Sequence, residues 1–423
     1  MGAPKAEHPL EVAVTGQLLL SHPFHESRHG PFLDLVERIR NADVAVTGFE
    51  GVFAGRGAPS PKASLHIAPQ SVAETLAWMG FSLVALAGNH AFDLGPDGIV
   101  HTIEVLRAHG LVTSGTGEDP ETAHRATFVR PAGGGRVALL SRQLGPNAAG
   151  EQAVPAISRD DLPEAQAPRP GVAHIGVDRT VTAKREIFAA LAELLGDTGH
   201  TARRRERVAM GADPDFGSAL DAWGTPVRVG AANTEYWHID PVSLEDLHAR
   251  VRRISDGSGD AVVHLHNHYW ASDPTDVPLW FEELATSVGA AGAPVVIGHG
   301  YPGIQAFRLR QGQLAAYGMG SLTFHTRRPQ RYTGLQYWES VVILARLTTS
   351  GLCEKVELLP VVHGHHPDRT RKVSDLGEPE LADFEVGKAI LERLDARCAP
   401  LSTRVTVRRA DGRAVGEVVD STP

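Results

Sequence analysis

The chain has 423 residues, and its 41 Lys and Arg against 50 Asp and Glu give a net charge of −9, which argues against general nucleic-acid binding because that needs a basic face. Hydrophobic residues make up 42% of the chain, yet no stretch approaches the ~18 consecutive apolar residues of a membrane helix. Two cysteines are too few for a disulfide framework or a cysteine metal cage, so any metal must bind to His, Asp, Glu, Asn or Gln.

The first third of the chain alternates short apolar runs with helical periodicity, which is the pattern of βαβ units. The predicted strands are Val12–Thr15, Val44–Thr47, Leu83–Ala87 and Val137–Leu140. The predicted helices are Leu33–Arg40, Ser71–Met79 and Pro96–Ala108. This order predicts an α/β protein with a largely parallel or mixed sheet.

The middle of the chain, residues 144–240, is predicted to be a loop-rich insertion. Gly145–Gly171 is rich in Pro, Ala and Gly and has no clear period, which indicates a long loop. Val181–Leu195 has helical periodicity. The basic run Arg203–Arg207 is interpreted as a solvated surface segment, with an anion site as the alternative.

Regular structure resumes after the insertion. The predicted helices are Leu244–Ile254, Leu279–Val288 and Glu385–Leu394, and the predicted buried strands are Ala261–Leu265 and Pro294–Ile297. An antiparallel meander is predicted from Phe307–Leu309, Gln313–Tyr317, Ser340–Leu347 and Lys355–Val361. Residues 1–400 are predicted to form one domain, and residues 401–423 a tail or a terminal hairpin.

Five predicted strands end in polar or glycine-bearing junctions. These are Gly16-Gln17, Gly48-Phe49-Glu50, Gly88-Asn89-His90, His266-Asn267-His268 and Gly298-His299-Gly300. Ligands bind outside the carboxyl ends of strands in open α/β sheets, so these loops are expected to build one site. Each polar residue taken singly is more often structural, but five together favour a shared metal or catalytic centre.

The residue types narrow the chemistry of this centre. An acid at Glu50, an amide at Asn89 and imidazoles at His266 and His299 suit Zn²⁺, Mn²⁺, Fe²⁺ or Ni²⁺. Asp93 lies three residues after His90, where it can orient the ring and make His90 a proton donor. The alternative for Asp93 is a favourable charge at the start of the following helix.

Seven blocks in this order resemble the CapA family of poly-γ-glutamate capsule proteins, a branch of the calcineurin-like metallophosphoesterase fold. The blocks are Val14–Leu20, Thr47–Gly51, Leu86–Gly95 with its Gly-Asn-His-Ala-Phe-Asp core, Pro170–Val172, Val263–His266, Ile297–Gly300 and Tyr317–Gly320. The resemblance implies a sandwich of two mixed β-sheets flanked by helices, with a two-metal site at the strand ends.

The chain departs from the family pattern at one half of that site. Gln17 stands where the family commonly has a metal-binding Asp, and Gly48 where it commonly has Asn. Tyr301-Pro302 replaces a Pro-His pair, so the last histidine is absent in register. With Gln17 only a neutral candidate ligand, the sequence predicts one divalent ion rather than two.

A single ion polarises a carbonyl and acidifies the neighbouring Cα–H, while His90, His268 or His299 moves the proton. Because CapA-like proteins include a lasso-peptide epimerase, the resemblance implies a metal-dependent peptide epimerase. Two alternatives stay open. One is a hydrolase of a phosphoester or amide, with His22 or His25 rebuilding a second metal site, and the other is a non-catalytic component of polyglutamate synthesis.

The expected partner is a peptide or small amide substrate, with no nucleic acid or membrane. The N-terminal residues lack the apolar core of a secretory signal, so a cytoplasmic location is expected. The stretch His266–Trp270 indicates either a polar pocket with aromatic walls or simple loop packing. The run His363–His366 is interpreted as a surface turn rather than a metal site.

Overall fold

The computed structural model describes residues 8–145, 168–257, 259–369 and 377–422, so most of the loop predicted over Gly145–Gly171 lies outside the described residues. The chain forms two compact units. The larger unit combines the segments Met1–His174 and Glu245–Pro423, and the smaller unit is Ile175–Leu244. All of the site residues predicted from the sequence belong to the larger unit.

One sheet of the larger unit, called the first sheet, joins strands from both ends of the chain. Leu10–Val14 pairs in parallel with Val44–Gly48 and antiparallel with Glu339–Leu347, so this sheet is mixed. Its strands in spatial order are Thr403–Ala410, Arg413–Asp420, Cys353–Val362, Glu339–Leu347, Leu10–Val14, Val44–Gly48, Leu83–Ala85 and Val112–Ser114, with Glu380–Leu381 beside Cys353–Val362.

The other sheet of the larger unit, called the second sheet, has parallel strands at its centre. Val137–Leu144, Asp260–His266 and Val295–His299 are parallel neighbours in that order. The sheet also contains Gln313–Ala316, Phe307–Arg310 and Thr127–Val129. The short strand His174–Ile175 also belongs to the second sheet. Short strand pairs outside both sheets are Gln17–Leu19 with Ser321–Phe324, Val52–Phe53 with Ile67–Ala68, and Thr116–Gly117 with Gly171–Val172.

The two sheets pack face to face, because one apolar core contains side chains from both. Val12 of the first sheet and Val262 of the second lie in this core. Successive strand residues point to opposite faces, so Ala13 belongs to a separate core, which it shares with Leu35 of the helix Gly30–Arg40. The larger unit is therefore a sandwich of two mixed sheets flanked by helices, the fold class that the sequence predicts.

The helices agree with most of the sequence predictions. They are Gly30–Arg40, Ser71–Trp78, Gly95–Ala108, Pro120–His124, Arg185–Asp197, His200–Ala209, Pro241–Asp256, Leu279–Ala290 and Phe384–Cys398, with 3-10 turns at Pro329–Arg331, Leu335–Tyr337 and Ala399–Leu401. No helix in the described part of the chain combines the length and apolarity needed to span a bilayer.

The smaller unit has a sheet of its own, in which one strand has both an antiparallel and a parallel neighbour. Val177–Ala183 pairs antiparallel with Thr234–Ile239 and in parallel with Thr225–Val229, which also pairs with Leu220–Ala222. The prediction of a helix from Val181 is therefore wrong over its first residues. Polar and β-branched residues alternate before Ala183, a strand pattern, and the helix begins only at Arg185.

Two further predictions about segments can be judged. The basic run Arg203–Arg207 lies on a helix with no buried residue, so its interpretation as a solvated segment is confirmed. The single antiparallel meander is wrong, because its first two strands belong to the second sheet and its last two to the first. The terminal hairpin Thr403–Ala410 with Arg413–Asp420 is present and extends the first sheet.

Candidate metal centre and its histidine neighbours

The predicted site residues lie at the carboxyl ends of parallel strands in both sheets. Glu50 and Asn89 follow neighbouring parallel strands of the first sheet. His266 and His299 are the last residues of neighbouring parallel strands of the second sheet and are paired in register. Because the sheets pack face to face, the loops that leave these strand ends converge on one region of the larger unit.

Four side chains meet around one imidazole nitrogen. We call this group the Glu50 cluster, and its members are Glu50, Asn89, His266 and His268. Nε2 of His266 lies 3.0 Å from Oδ1 of Asn89 and 3.0 Å from Nε2 of His268. Oε1 of Glu50 lies 3.9 Å from the same nitrogen. One ligand atom each from Glu50, His266 and His268 lies within 4.8 Å of the others, so the three can hold one ion.

Glu50 is the acid of this cluster and is buried. Its Oε2 is buried without a hydrogen-bond partner. Burial raises the pKa of this carboxyl to about 7, although the neighbouring His90 acts in the opposite direction. A buried carboxylate oxygen without a donor is costly unless a cation compensates it, and a mixed set of oxygen and imidazole ligands suits a divalent transition metal. The residues present therefore fit a bound divalent cation.

His90 and Asp93 form a hydrogen-bonded pair beside the cluster. Oδ2 of Asp93 accepts from Nδ1 of His90 at 2.7 Å, the contact that the sequence predicts. A proton on Nδ1 leaves Nε2 of a neutral His90 ring as the basic nitrogen. Both side chains are buried, and Asp93 has no exposed surface. The pair thus presents one imidazole nitrogen in a fixed orientation.

Two residues from the loop before Ile67–Ala68 hold Asp93 in place. Nζ of Lys62 donates to Oδ1 of Asp93 at 2.7 Å and also to the backbone oxygen of Asn89. The backbone N–H of His66 donates to Oδ2 of Asp93 at 2.6 Å. Burial by itself raises the pKa of the Asp93 carboxyl, but the hydrogen bonds from His90, Lys62 and His66 outweigh it and lower the pKa below its usual range. Asp93 is therefore held as a carboxylate.

His299 and His264 form a second buried group, which we call the inner histidine pair. Nε2 of His299 donates to the backbone oxygen of Thr15 at 3.2 Å, so its Nδ1 accepts from Nε2 of His264 at 3.0 Å. Nδ1 of His264 then accepts from the hydroxyl of Ser141 at 2.8 Å, and that oxygen accepts from the N–H of Ala87 at 3.2 Å. Every ring nitrogen of the pair has a partner.

Burial keeps both rings of the inner histidine pair neutral. It lowers the pKa of His299 to about 4, and the pKa of His264 well below its ordinary value. Neutral rings have one donor and one acceptor nitrogen each, so the chain of hydrogen bonds from Ser141 to Thr15 has a single consistent set of proton positions. In this arrangement all four ring nitrogens are engaged in hydrogen bonds.

Gly48 provides the space that the inner histidine pair occupies. A Cβ at this position would lie 2.5 Å from Nδ1 of His299 and 3.4 Å from Nε2 of His264. No other residue fits there without displacing the ring of His299. The departure from the CapA pattern at Gly48 is thus linked in space to His264 and His299.

Gln17 bridges two backbone segments beside this pair. Its Oε1 accepts from the N–H of Gly300 at 2.7 Å, and its Nε2 donates to Oγ of Ser321 at 3.3 Å. Gly300 has φ of +113°, and a Cβ there would lie 2.2 Å from the backbone oxygen of Asn267, so only glycine fits. The amide of Gln17 therefore fixes the loop that follows His299.

Aromatic rings continue from the Glu50 cluster along the loop after His266. The ring of His268 lies 5.4 Å from that of Trp270, which lies 5.4 Å from that of Tyr301 in an edge-to-face arrangement. Nε1 of Trp270 donates to the backbone oxygen of Asn267 at 3.0 Å. The loop is packed, and its rings also form an aromatic wall beside His268.

The structure brings together some of the predicted site residues and separates others. Glu50, Asn89 and His266 meet in one cluster. His268 adds a further imidazole to it, although the role predicted for His268 from the sequence is proton transfer. In the part of the chain that the structure describes, His299 lies outside this group of ligand atoms and Gln17 is engaged elsewhere. The metal-binding roles of His299 and Gln17, and the catalytic roles of His90, Asp93, His268 and His299, remain predictions.

Several residues that the structure places at the site are not identified from the sequence. They are His264, Ser141, Lys62 and His66. The signal for His264 is its spacing, because residues two apart on a strand share a face and His264 precedes His266 by two. Lys62 and His66 carry no local signal, since a long-range contact with Asp93 brings them to the site.

The interpretation of His363–His366 as a surface turn is wrong for two of its residues. His363 and His366 are buried. The backbone N–H of His363 donates to the backbone oxygen of Trp338 at 3.0 Å, and Nε2 of His366 lies 3.5 Å from Oε1 of Glu339. The ring of His363 packs against that of Trp338, whereas His365 and Pro367 in the same turn are exposed, as predicted.

Comparisons with known proteins agree with this architecture. The family model described as "Bacterial capsule synthesis protein PGA_cap" matches residues 11–326, which include every residue of the Glu50 cluster and the inner histidine pair. The chain is also similar to two proteins of Sinorhizobium fredii (strain NBRC 101917 / NGR234), the uncharacterized proteins y4sH and y4uA. Each is 25% identical over 448 residues, an alignment that covers 94% of this chain and 91% of the relative.

Proposed function

Because the chain belongs to the bacterial capsule synthesis protein family, which has a metallophosphoesterase-like fold, we propose that it is a metal-dependent acid/base enzyme. The proposed substrate is a peptide or amide, and the most concrete reaction is epimerisation of one Cα centre in a precursor peptide. The observation that carries this proposal is one acid–imidazole ligand group at Glu50 beside a histidine, His90, that Asp93 orients.

The Glu50 cluster is the proposed binding site for the substrate carbonyl group. A divalent cation held by Glu50, His266 and His268, with Asn89 as a further oxygen donor, would polarise a substrate carbonyl and acidify the adjacent Cα–H. Glu50 and His266 are buried, so they limit the access of water to this point. Fixed donors in a site with little water hold a substrate more strongly than the same groups in solution.

His90 is the proposed acid/base group, and it acts first as a proton acceptor rather than as the donor that the sequence predicts. Asp93 accepts the proton on Nδ1 of His90, so Nε2 has the free lone pair. When the Cα–H bond breaks, its proton passes to Nε2, and the ionised Asp93 stabilises the imidazolium that forms. The planar carbon then takes a proton on its other face from a water molecule that enters on the exposed side of the cluster at His268, and the hydroxide that remains takes the proton from His90. This sequence inverts the centre without breaking the peptide.

A hydrolase of a phosphoester or amide is the second candidate function, and family membership favours it. Hydrolysis by a two-metal site uses both ions to clamp the attacking and leaving oxygens. The position where the resemblance implies an acidic ligand for the other ion has Gln17, and its amide is bonded to Gly300 and Ser321. Epimerisation needs one ion and therefore ranks first.

Proton exchange at carbon separates the two candidates. The metal-loaded protein is incubated in deuterated water with candidate precursor peptides, and the products are examined by mass spectrometry and chiral amino-acid analysis. Epimerisation predicts one deuterium at one inverted Cα and no cleavage. The variant His90→Gln is expected to lower the exchange rate roughly 10²- to 10⁴-fold, the usual contribution of a positioned acid or base.

The matched control is His109→Gln, which removes an exposed histidine at the end of the helix Gly95–Ala108 and should leave exchange unchanged. Cleavage products without deuterium at Cα would contradict the proposal and favour the hydrolase. Turnover of a generic phosphodiester with two bound metal equivalents would do the same.

A further inference from the structure

A cavity of about 650 Å³ borders the side of the site where Lys62 and His66 contact Asp93. Lys62 and His66 themselves line it. Its other wall comes from the segment that follows the strand Ser321–Phe324. The cationic side chains of the lining are Lys62, Arg327, Arg328 and Arg331.

The charged side chains that line this cavity are opposite in sign to the net charge of the chain. The whole chain has a net charge of −9. Among the described residues, the lining of the cavity contains no Asp or Glu to offset its lysine and three arginines. The three arginines are exposed, so the cavity presents guanidinium groups to the solvent in an otherwise acidic molecule. Such a concentration of one sign of charge raises the local concentration of anions.

The positive field of the cavity reaches the proposed acid/base pair. Burial lowers the pKa of His66 to about 4, and the positive charges of Lys62 and Arg327 act in the same direction, although Asp93 opposes them. The ring of His66 lies edge-to-face on that of His90 with 4.6 Å between their centroids. Lys62 links the two places directly, because its Nζ binds Asp93 while its side chain lines the cavity.

We propose that this cavity is an anion subsite that binds a carboxylate or phosphate group of the substrate. Guanidinium groups bind such oxyanions through paired, charge-assisted hydrogen bonds, which orient the group as well as attract it. Leu20, Leu65 and Tyr332 give the cavity apolar walls for the part of the substrate that carries the anion. The inference rests on the proposed function in one respect, namely that the anion and the reacting carbonyl belong to the same molecule.

Binding of two probes to the full-length metal-loaded chain tests the subsite without any turnover. The probes are inorganic phosphate and a tri-aspartate peptide with blocked termini, and the measurement is isothermal titration calorimetry. The double variant Arg327→Gln/Arg331→Gln is expected to weaken binding of the preferred probe by about tenfold or more, because two charge-assisted hydrogen-bond donors are lost. The matched control is Arg107→Gln/Arg130→Gln, which removes two exposed arginines elsewhere on the larger unit and should leave binding unchanged.

Glu50→Gln distinguishes this subsite from the metal centre. Binding that survives Glu50→Gln, weakens in the arginine double variant and falls as salt is added supports the subsite. A preference for phosphate indicates a phosphorylated substrate, and a preference for the peptide indicates carboxylates. Absence of binding by the wild type, equal binding by wild type and double variant, or binding lost only in Glu50→Gln overturns it. Each of these results is independent of whether Cα exchange occurs.

Discussion

The Glu50 cluster and the inner histidine pair both contain buried imidazoles, yet their hydrogen bonding differs. In the inner histidine pair every ring nitrogen has a partner, from the hydroxyl of Ser141 to the backbone oxygen of Thr15. In the Glu50 cluster one carboxylate oxygen has none, and the Nε2 atoms of His266 and His268 face each other at 3.0 Å.

The difference indicates separate roles for the two groups. Satisfied buried polar groups contribute to a unique packing arrangement, whereas an unsatisfied buried carboxylate oxygen beside two imidazoles is a suitable place for a bound cation. We therefore propose that the inner histidine pair is structural, in place of the metal-binding and catalytic roles predicted for His299 from the sequence, and that the Glu50 cluster binds the metal. Changes within each group should then affect different measurements.

The largest expected effect is the loss of metal-linked stability in Glu50→Gln. A metal that binds only the folded chain stabilises it by about 2.7 kcal/mol at a concentration of 100 times its dissociation constant. Glu50→Gln keeps the shape of the side chain but removes the charge that holds the ion, so this gain should disappear. Urea unfolding with and without Mn²⁺ or Zn²⁺ measures it.

The control for this variant is Glu37→Gln, an exposed position on the helix Gly30–Arg40, which should keep the full gain. If metal stabilised Glu50→Gln as much as the wild type, the metal would bind elsewhere. The Glu50 cluster and the inner histidine pair would then not differ in metal binding.

Gly48→Ala is expected to destabilise the protein by about 1–3 kcal/mol, because the added Cβ would lie 2.5 Å from Nδ1 of His299. Gly30→Ala is the matched control, since a Cβ there would meet no atom within 4 Å. It should be neutral or slightly stabilising. Equal unfolding free energies for the two variants would show that His299 does not need the space at Gly48.

Acid should destabilise the metal-free protein through the inner histidine pair. The pKa of His299 in the folded chain is about 4, below its value of ~6.5 when unfolded, so the unfolded chain binds a proton first. Stability therefore falls as the pH decreases from about 6.5 towards 4, by at most about 1.4 kcal/mol per pH unit for this group. Unfolding in urea with a chelator at several pH values measures the slope.

His299→Gln should make that slope smaller, whereas His109→Gln, at an exposed position, should leave it unchanged. A slope that stays the same in His299→Gln would mean that the ring is not held neutral in the folded state.

Ser141→Ala is expected to have the smallest effect, about 1 kcal/mol or somewhat more. It removes the donor to His264 and the acceptor of the Ala87 N–H, so two buried groups lose a partner. Metal binding should stay at the wild-type level, because the hydrogen bonds of the Ser141 side chain and N–H go to His264, Ala87 and Ser114, which lie outside the Glu50 cluster. Ser421→Ala, at an exposed position, serves as the control, and a loss of metal in Ser141→Ala would contradict the separation of the two groups.

The sequence predicts the strand ends of this site well because each buried strand there is followed directly by a polar junction. Glu50, Asn89 and His266 are found in this way. His264 is missed although it lies two residues before His266, because a residue inside a buried strand resembles core. The packing of His299 into the space beside Gly48 shows the contact that His264 makes.

Sheet membership is the part of the fold that local patterns do not determine. Phe307–Arg310 and Glu339–Leu347 have the same kind of strand pattern, but they belong to different sheets. The choice depends on which sheet edge is open once the whole unit packs. For the same reason Lys62 and His66, which contact Asp93 from a distant loop, carry no signal in their own neighbourhood.

The most direct test of the account is the metal content of the purified chain, measured by elemental analysis in the wild type and two variants. The account predicts one divalent ion per chain in the wild type, one in His299→Gln and none in Glu50→Gln. Two ions in the wild type, or one ion that survives Glu50→Gln and is lost in His299→Gln, would contradict it.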